Sequence, residues 1–133
     1  MVVELFPLSF RSGRNPELSK NSKDKLKSIV DLSRIAQQIR ASGQKVVLAH
    51  GVFDLLHMGH VRHLNEARTH GDVLFVTLTA DAFVNKGPGK PVFSENLRAE
   101  MLAALSMVDY VAINHAPDAE DLLQRLRPDV YAK

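Results

Sequence analysis

The chain has 133 residues and a mass of 14.8 kDa, is 45% hydrophobic and 24% charged, and contains no Cys and no Trp. That is one domain's worth of sequence, long enough to bury a core and too apolar for wholesale disorder, and the missing cysteines exclude disulfide scaffolds, Cys-ligated zinc and thiol catalysis. The formal net charge of +2 conceals an asymmetry, with nine Lys/Arg against four Asp/Glu in residues 1 to 45 and eight against eleven in residues 46 to 133.

Residues 1 to 21 hold Pro7, Gly13 and Pro16 among Ser, Asn and Arg, and as a whole follow neither a helical nor a strand period, so they read as an extended arm. Val2, Val3, Leu5, Phe6, Leu8 and Phe10 make six apolar residues in the first ten, more than a solvated tail needs. The arm is therefore expected to cross to a second copy and build a homodimer. No aromatic residues interleave with the lysines of this basic front end, so no nucleic-acid partner is expected. Ser28 is placed to cap a helix, Leu32, Ile35, Ala36 and Ile39 follow at helical spacing, and Gly43 stops it. This predicts an amphipathic helix over 29–42 that packs on the domain itself.

From Lys45 the pattern alternates. An apolar run, KVVLA, is followed by a helix over 59–70 and a second run, VLFVTLT. A Gly/Pro loop over 85–91 leads to a helix over 94–106, with Leu97, Met101, Ala104 and Leu105 expected inward, and then to DYVAI. A short helix over 118–126, a break at Pro128 and a last run, DVYA, complete the chain. Strands apolar on both faces and separated by helices imply an α/β fold, a Rossmann-like parallel sheet with helices on both faces, over residues 22 to 133. No apolar run approaches the roughly 18 residues of a membrane helix and the N-terminus has no secretory pattern, so a soluble, cytoplasmic protein with no membrane partner is expected.

An open parallel sheet takes its ligand beyond the carboxyl ends of its strands, here the loops after Ala49, Thr79 and Ile113. The first of these is His50-Gly51-Val52-Phe53-Asp54-Leu55-Leu56-His57-Met58-Gly59-His60. It lacks the Lys-Ser/Thr ending of a Walker A loop and the G-x-G-x-x-G of a dinucleotide loop. Gly51 would let backbone N–H groups approach a ligand, and His57 and His60, three apart at a helix start, can face one way beside the positive end of the dipole. Such a loop suits phosphate oxygens whose charge grows during reaction. Two other readings stay open: His57 and Asp54 close turns while His60 is a surface histidine, or His57, His60 and His63 ligate zinc.

HGVFDLLHMGH resembles the G-x-F-D-x-x-H-x-G-H signature of the cytidylyltransferase-like nucleotidyltransferases. The likeness continues through GDVLFVTLTAD, NKGPGKPVFSENLRAEMLAAL, VDYVAI and PDVYAK, covering about residues 44–133. The family includes glycerol-3-phosphate and phosphocholine cytidylyltransferases, an adenylyltransferase domain that activates heptose 1-phosphate, and a cytidylyltransferase domain of the fosfomycin pathway acting on 2-hydroxyethylphosphonate. Its members continue past the position of Lys133 into a G-x-D segment and a Ser/Thr-rich motif. The resemblance therefore implies a nucleotidyltransferase fold in an excised or truncated form, with a second catalytic domain fused in the full-length protein.

The resemblance further implies attack by an acceptor phosphate or phosphonate oxygen on the α-phosphorus of a nucleoside triphosphate, releasing pyrophosphate. The leading expectation is CTP as donor and a small phosphate or phosphonate as acceptor, with 2-hydroxyethylphosphonate a candidate. The alternatives are an adenylyltransferase using ATP and a heptose 1-phosphate, which the KGPGKPVF stretch also suits, and a non-catalytic nucleotide sensor. Carried over by motif, His57, His60 and Lys86 are the catalytic residues, and Gly51, Val52, Phe53, His57, Gly59 and His60 bind nucleotide. Asp54, Lys86, Lys90, Arg98 and Asp81 bind acceptor or phosphate, with Asp81 equally suited to cap a turn over 82–84. Arg98 stands in the first turns of a helix, where the dipole disfavours a cation, which suggests placement for an anion. No carboxylate cluster reads as a metal cage, so Mg²⁺ is expected to arrive through the triphosphate, with no protein metal site.

Overall fold

The computed structural model describes residues 21–84 and 87–133; the arm over 1–20 and Lys86 lie outside the described residues. Four parallel strands, β1 (Val46–Gly51), β2 (Val73–Thr79), β3 (Tyr110–Asn114) and β4 (Val130–Ala132), stand in the order β3-β2-β1-β4. The helices between and before them are α1 (Ile29–Ala41), α2 (Met58–Arg68), α3 (Glu95–Ala103) and α4 (Glu120–Leu126). One face of the sheet buries Val47, Leu74 and Val76 against Leu64 and Ala67 of α2 and Leu102 of α3. The other face buries Val46, Leu48 and Phe75 against Leu32 and Ala36 of α1 and Leu122 and Leu126 of α4. Because β1 and β2 are covered on both sides, every position of their first halves must be apolar, which is why the runs VVLA and VLFV show no alternation.

A repeated local device fixes strand register. Asp72, Asp109 and Asp129 each directly precede a strand, and each carboxylate accepts a backbone N–H within a residue of the start of a neighbouring strand: Lys45 N to Asp72, Leu74 N to Asp109 and Val46 N to Asp129, all at 2.8 Å. Backbone donors at the amino edge of the sheet are thereby satisfied without water.

α1 begins at the expected cap, with Ser28 Oγ accepting from Asp31 N, and ends before Gly43, whose φ of +85° is the left-handed turn that glycine adopts freely. In α3 the buried face differs from the expected one. Arg98, Ala99, Leu102 and Ala103 are buried, whereas Leu97 is 50% exposed and Ala104 is exposed. The helix is rotated by about one residue because Arg98, not Leu97, is drawn inward by hydrogen-bond acceptors beneath it. Among the described residues no helix is long and apolar enough to cross a membrane.

Candidate active site

The loop between β1 and α2 turns on two glycines, each bare for a reason of packing. Phe53 takes a left-handed φ of 54°, unusual for a bulky residue, and folds back so that a Cβ on Gly51 would meet its ring at 3.1 Å. Gly51 thus makes room for Phe53, a packing role beside the close approach to a ligand expected of it. Its φ/ψ cost is held by burial: Phe53 is 7% exposed and meets His60 edge to face at 5.3 Å between ring centres. Gly59 serves the other imidazole, since a Cβ there would lie 2.8 Å from Cε1 of His57.

His57 is the N-cap of α2. Its Nδ1 accepts from Gly59 N at 3.0 Å, and Nδ1 of His60 accepts from His57 N at 3.2 Å. The pair forms a reciprocal capping box in which imidazoles take the places usually held by Ser and Glu. A nitrogen that accepts a backbone N–H carries no proton, so each neutral ring bears its proton on Nε2. The rings lie 3.9 Å apart, tilted by 30°. Burial, helped by the neighbouring His57 and His63, lowers the pKa of His60 below its ordinary value of 6.5. The helix start therefore presents His60 as a neutral Nε2–H donor, next to an equally oriented His57.

A cavity of about 380 Å³ opens here, lined by Val52, Phe53, Asp54, Leu55, His57, His60 and Lys90. Six of these were expected as site residues; Leu55, 51% exposed at the lip, was not, and its apolar type in a strand-to-helix loop is the signal that could have marked it. Asp54 reaches across to the loop before α3, accepting from Val92 N at 2.8 Å and Phe93 N at 3.2 Å, with Lys90 Nζ at 3.8 Å. Desolvation pulls its carboxyl upward, but those N–H groups and the charges of Lys90 and Arg98 outweigh it and hold the pKa below 3.8. Asp54 is thus an anionic clasp between two loops, its oxygens already engaged.

Arg98 and Asp81 are not brought into the cavity. Arg98 is fully buried: Nε donates to Phe93 O at 3.0 Å, Nη1 to Val52 O at 2.9 Å and Thr79 O at 2.8 Å, and Nη2 pairs with the carboxylate of Asp81. The inference from the helix dipole is corrected accordingly. The cation is compensated by three carbonyls and a carboxylate from four segments, and no donor is left facing solvent for an anion. Asp81 is consumed in that pair and is the first residue of a 3₁₀ turn over Asp81–Phe83, whose cap is Ala80, so it caps nothing itself. Glu95 completes the arrangement by accepting Asp81 N at 2.8 Å.

On the opposite side of β1, His50 sits at the carboxyl end of the strand with Nδ1 2.9 Å from Thr77 Oγ1, and burial lowers its pKa.

A parallel sheet whose first strand runs into an imidazole-capped helix, with the cavity at the strands' carboxyl ends, defines an α/β domain of the nucleotidyltransferase class. The chain belongs to the cytidylyltransferase-like family, which matches residues 48–133. It is 38% identical over 115 residues to the Bifunctional protein HldE of Aliarcobacter butzleri (strain RM4018), covering 85% of this chain and 24% of that protein. It is 42% identical over 118 residues to the Bifunctional protein HldE of Syntrophotalea carbinolica, covering 87% and 24%. This chain spans about a quarter of the length of those relatives. Among solved structures, the lipopolysaccharide core biosynthesis protein from Thermoplasma volcanium GSS1 superposes with a TM-score of 0.61 at 33% identity, covering 66% of this chain and 72% of that one.

Proposed function

We propose that this domain transfers a nucleoside monophosphate from a nucleoside triphosphate to a phosphate oxygen of a small acceptor, with ATP as donor and a sugar 1-phosphate of the heptose type as acceptor. The observation that carries the reading is the paired Nε2–H donors of His57 and His60 at the start of α2, beside a cavity that also holds Lys90. An acceptor phosphate is ionised near neutral pH and needs no general base. Its oxygen forms a bond to the α-phosphorus as the bond to the bridging oxygen breaks, and pyrophosphate leaves with that electron pair. What the protein supplies is alignment of two anions and hydrogen bonds to the oxygens whose charge grows. Nε2–H of each histidine donates there, Lys90 and Lys86 attract both substrates, and Val52, Phe53 and Gly59 shape the nucleotide pocket.

Relatives named HldE and a neighbour named for lipopolysaccharide core biosynthesis support the heptose reading over CTP with 2-hydroxyethylphosphonate. The word bifunctional in the relatives' name supports a second catalytic domain in the same polypeptide. Among the described residues no group of three or more His, Asp or Glu could hold a metal, and the oxygens of Asp54 are engaged by backbone. That donor set fits Mg²⁺ carried by triphosphate oxygens and water, where it would neutralise part of the charge.

Pyrophosphate release with ATP or CTP against a panel of sugar 1-phosphates and 2-hydroxyethylphosphonate tests this. Release with ATP and a sugar 1-phosphate is expected. Release with CTP and the phosphonate alone would return the other acceptor. No release with any pair, while nucleotide binding persists, would leave a sensor.

A further inference from the structure

The cavity at the start of α2 suits the phosphates of a substrate but holds little for uncharged hydroxyls: beside its imidazoles and Lys90 stands only Asp54, whose oxygens backbone N–H groups already engage. A second polar group lies at the same carboxyl edge of the sheet. On the face packed by α1 and α4, Val46, Leu48, Phe75 and Ala112 are apolar and buried. Further along the strands that same face turns polar, with His50 on β1, Thr77 and Thr79 on β2 and Asn114 on β3. The opposite face stays apolar through Ala49, Leu78 and Ile113. A core that merely thinned toward water would soften both faces, so polarity confined to one of them points to something bound there.

The register sets His50 opposite Thr77 and Thr79 opposite Asn114, so the row crosses three adjacent strands. Two inter-strand gaps make it roughly 10 Å long, the span of one monosaccharide. His50 is half-buried and anchored through Nδ1, 2.9 Å from Thr77 Oγ1, whereas its Nε2 lies 3.5 Å from Thr79 Oγ1, too far for a strong bond. Asn114 is held by Nδ2 donating to Asp118 O at 2.8 Å, which leaves Oδ1 without a hydrogen-bond partner among the described residues. No sealed side-chain atom among those residues lacks a partner, so this oxygen reaches solvent. Burial keeps the imidazole uncharged near neutral pH. A neutral row that both donates and accepts suits hydroxyls better than phosphate.

β2 and β3 lie to one side of β1 and β4 to the other, so the strand order reverses between β1 and β4, the crevice in which an open α/β sheet takes a nucleotide. The row runs the other way, and it starts one residue before Gly51, where the loop that forms the cavity begins. We infer that His50, Thr79 and Asn114 form the hydroxyl-reading subsite for the acceptor, whose phosphate lies at the histidine pair and whose sugar lies across the carboxyl ends of β1, β2 and β3. This subsite rests on the sugar 1-phosphate reading given above. It selects a polyhydroxylated acceptor, a choice that the charged cavity alone does not make.

Thr79→Val removes the hydroxyl with little change of shape, and Thr79→Ser returns it. In the full chain at saturating ATP, Thr79→Val and, independently, His50→Leu should each raise the KM for heptose 1-phosphate about tenfold, the scale of one lost hydrogen bond, and Thr79→Ser should restore it. The KM for ATP should stay within about twofold, as should the inhibition constant of inorganic phosphate, which occupies the phosphate position but has no hydroxyls of a sugar to place. An unfolding curve for each variant shows that the fold persists. An unchanged KM for heptose 1-phosphate in either folded variant, or an equal weakening of inorganic phosphate, would overturn the subsite and leave nucleotidyl transfer standing. If the unaltered chain releases no pyrophosphate with any sugar 1-phosphate, the reading of the reaction falls, and the subsite falls with it.

Discussion

Arg98→Met is the substitution whose cost can be worked out most fully. The guanidinium is entirely buried and donates to three carbonyls, Val52 O, Thr79 O and Phe93 O, as well as to Asp81. Methionine keeps most of the volume but supplies no donor, so the three acceptors lose their partner and Asp81 loses its counter-charge. A buried acceptor left unpaired costs about 1–3 kcal/mol. Asp81 is 41% exposed and can recover hydration, so it adds little. Three such acceptors give an expected loss of at least about 3 kcal/mol, a large share of the about 5–15 kcal/mol typical of a small domain. Arg98→Lys retains the charge but not the fork, and should lose about half as much. Urea unfolding monitored by circular dichroism would report both as a lower midpoint with an unchanged m value. A loss below about 1 kcal/mol for Arg98→Met would refute the view that this residue ties β1, β2 and the loop before α3 together.

Three further outcomes follow from the site. Gly59→Ala should leave stability within about 1 kcal/mol, because the gain in helix propensity offsets the lost cap, yet lower turnover at least about tenfold, because its Cβ would lie 2.8 Å from His57 Cε1 and push the imidazole off its cap; steady-state kinetics beside an unfolding curve separates the two effects. His60 and His50 both have folded pKa values below 6.5, so the stability they contribute is fully present above pH 6.5 and is lost as pH falls through the lowered values. Unfolding free energy should therefore decline below pH 6.5, less steeply in His50→Gln, whereas Asp54, lowered from 3.8, matters only at more acid pH. Lys90→Ala should raise the KM for nucleotide about fivefold at low ionic strength and flatten its salt dependence, since a half-exposed cation acts mainly through screened attraction.

Much of this architecture could be read from the chain alone. Ser28 and Gly43 bracketed α1 because caps are local chemistry, and β2 was found residue for residue because a strand buried on both faces has nowhere to place a polar side chain. The histidine pair was visible as spacing, but its capping geometry was not, since Ser and Glu are the usual residues for that box. The burial of Arg98 and the packing role of Gly51 were hidden for a common reason. Their roles depend on groups distant in sequence or on a neighbour's unusual φ: Arg98 meets a carbonyl 46 positions away, and Gly51 yields to a left-handed Phe53. Asp81 followed Arg98 into error, because a carboxylate at a strand end looks free until its partner is found.

The central claim is that the Nε2–H donors of the capping pair stabilise the transferring phosphate, and His60→Ala tests it most directly. Pyrophosphate release at saturating ATP and sugar 1-phosphate, measured beside an unfolding curve, should fall at least about a hundredfold, the scale of losing one transition-state donor. The fold should persist, since His60 lies at the helix start and outside both apolar core clusters. Near-normal turnover in a folded His60→Ala protein would contradict the account.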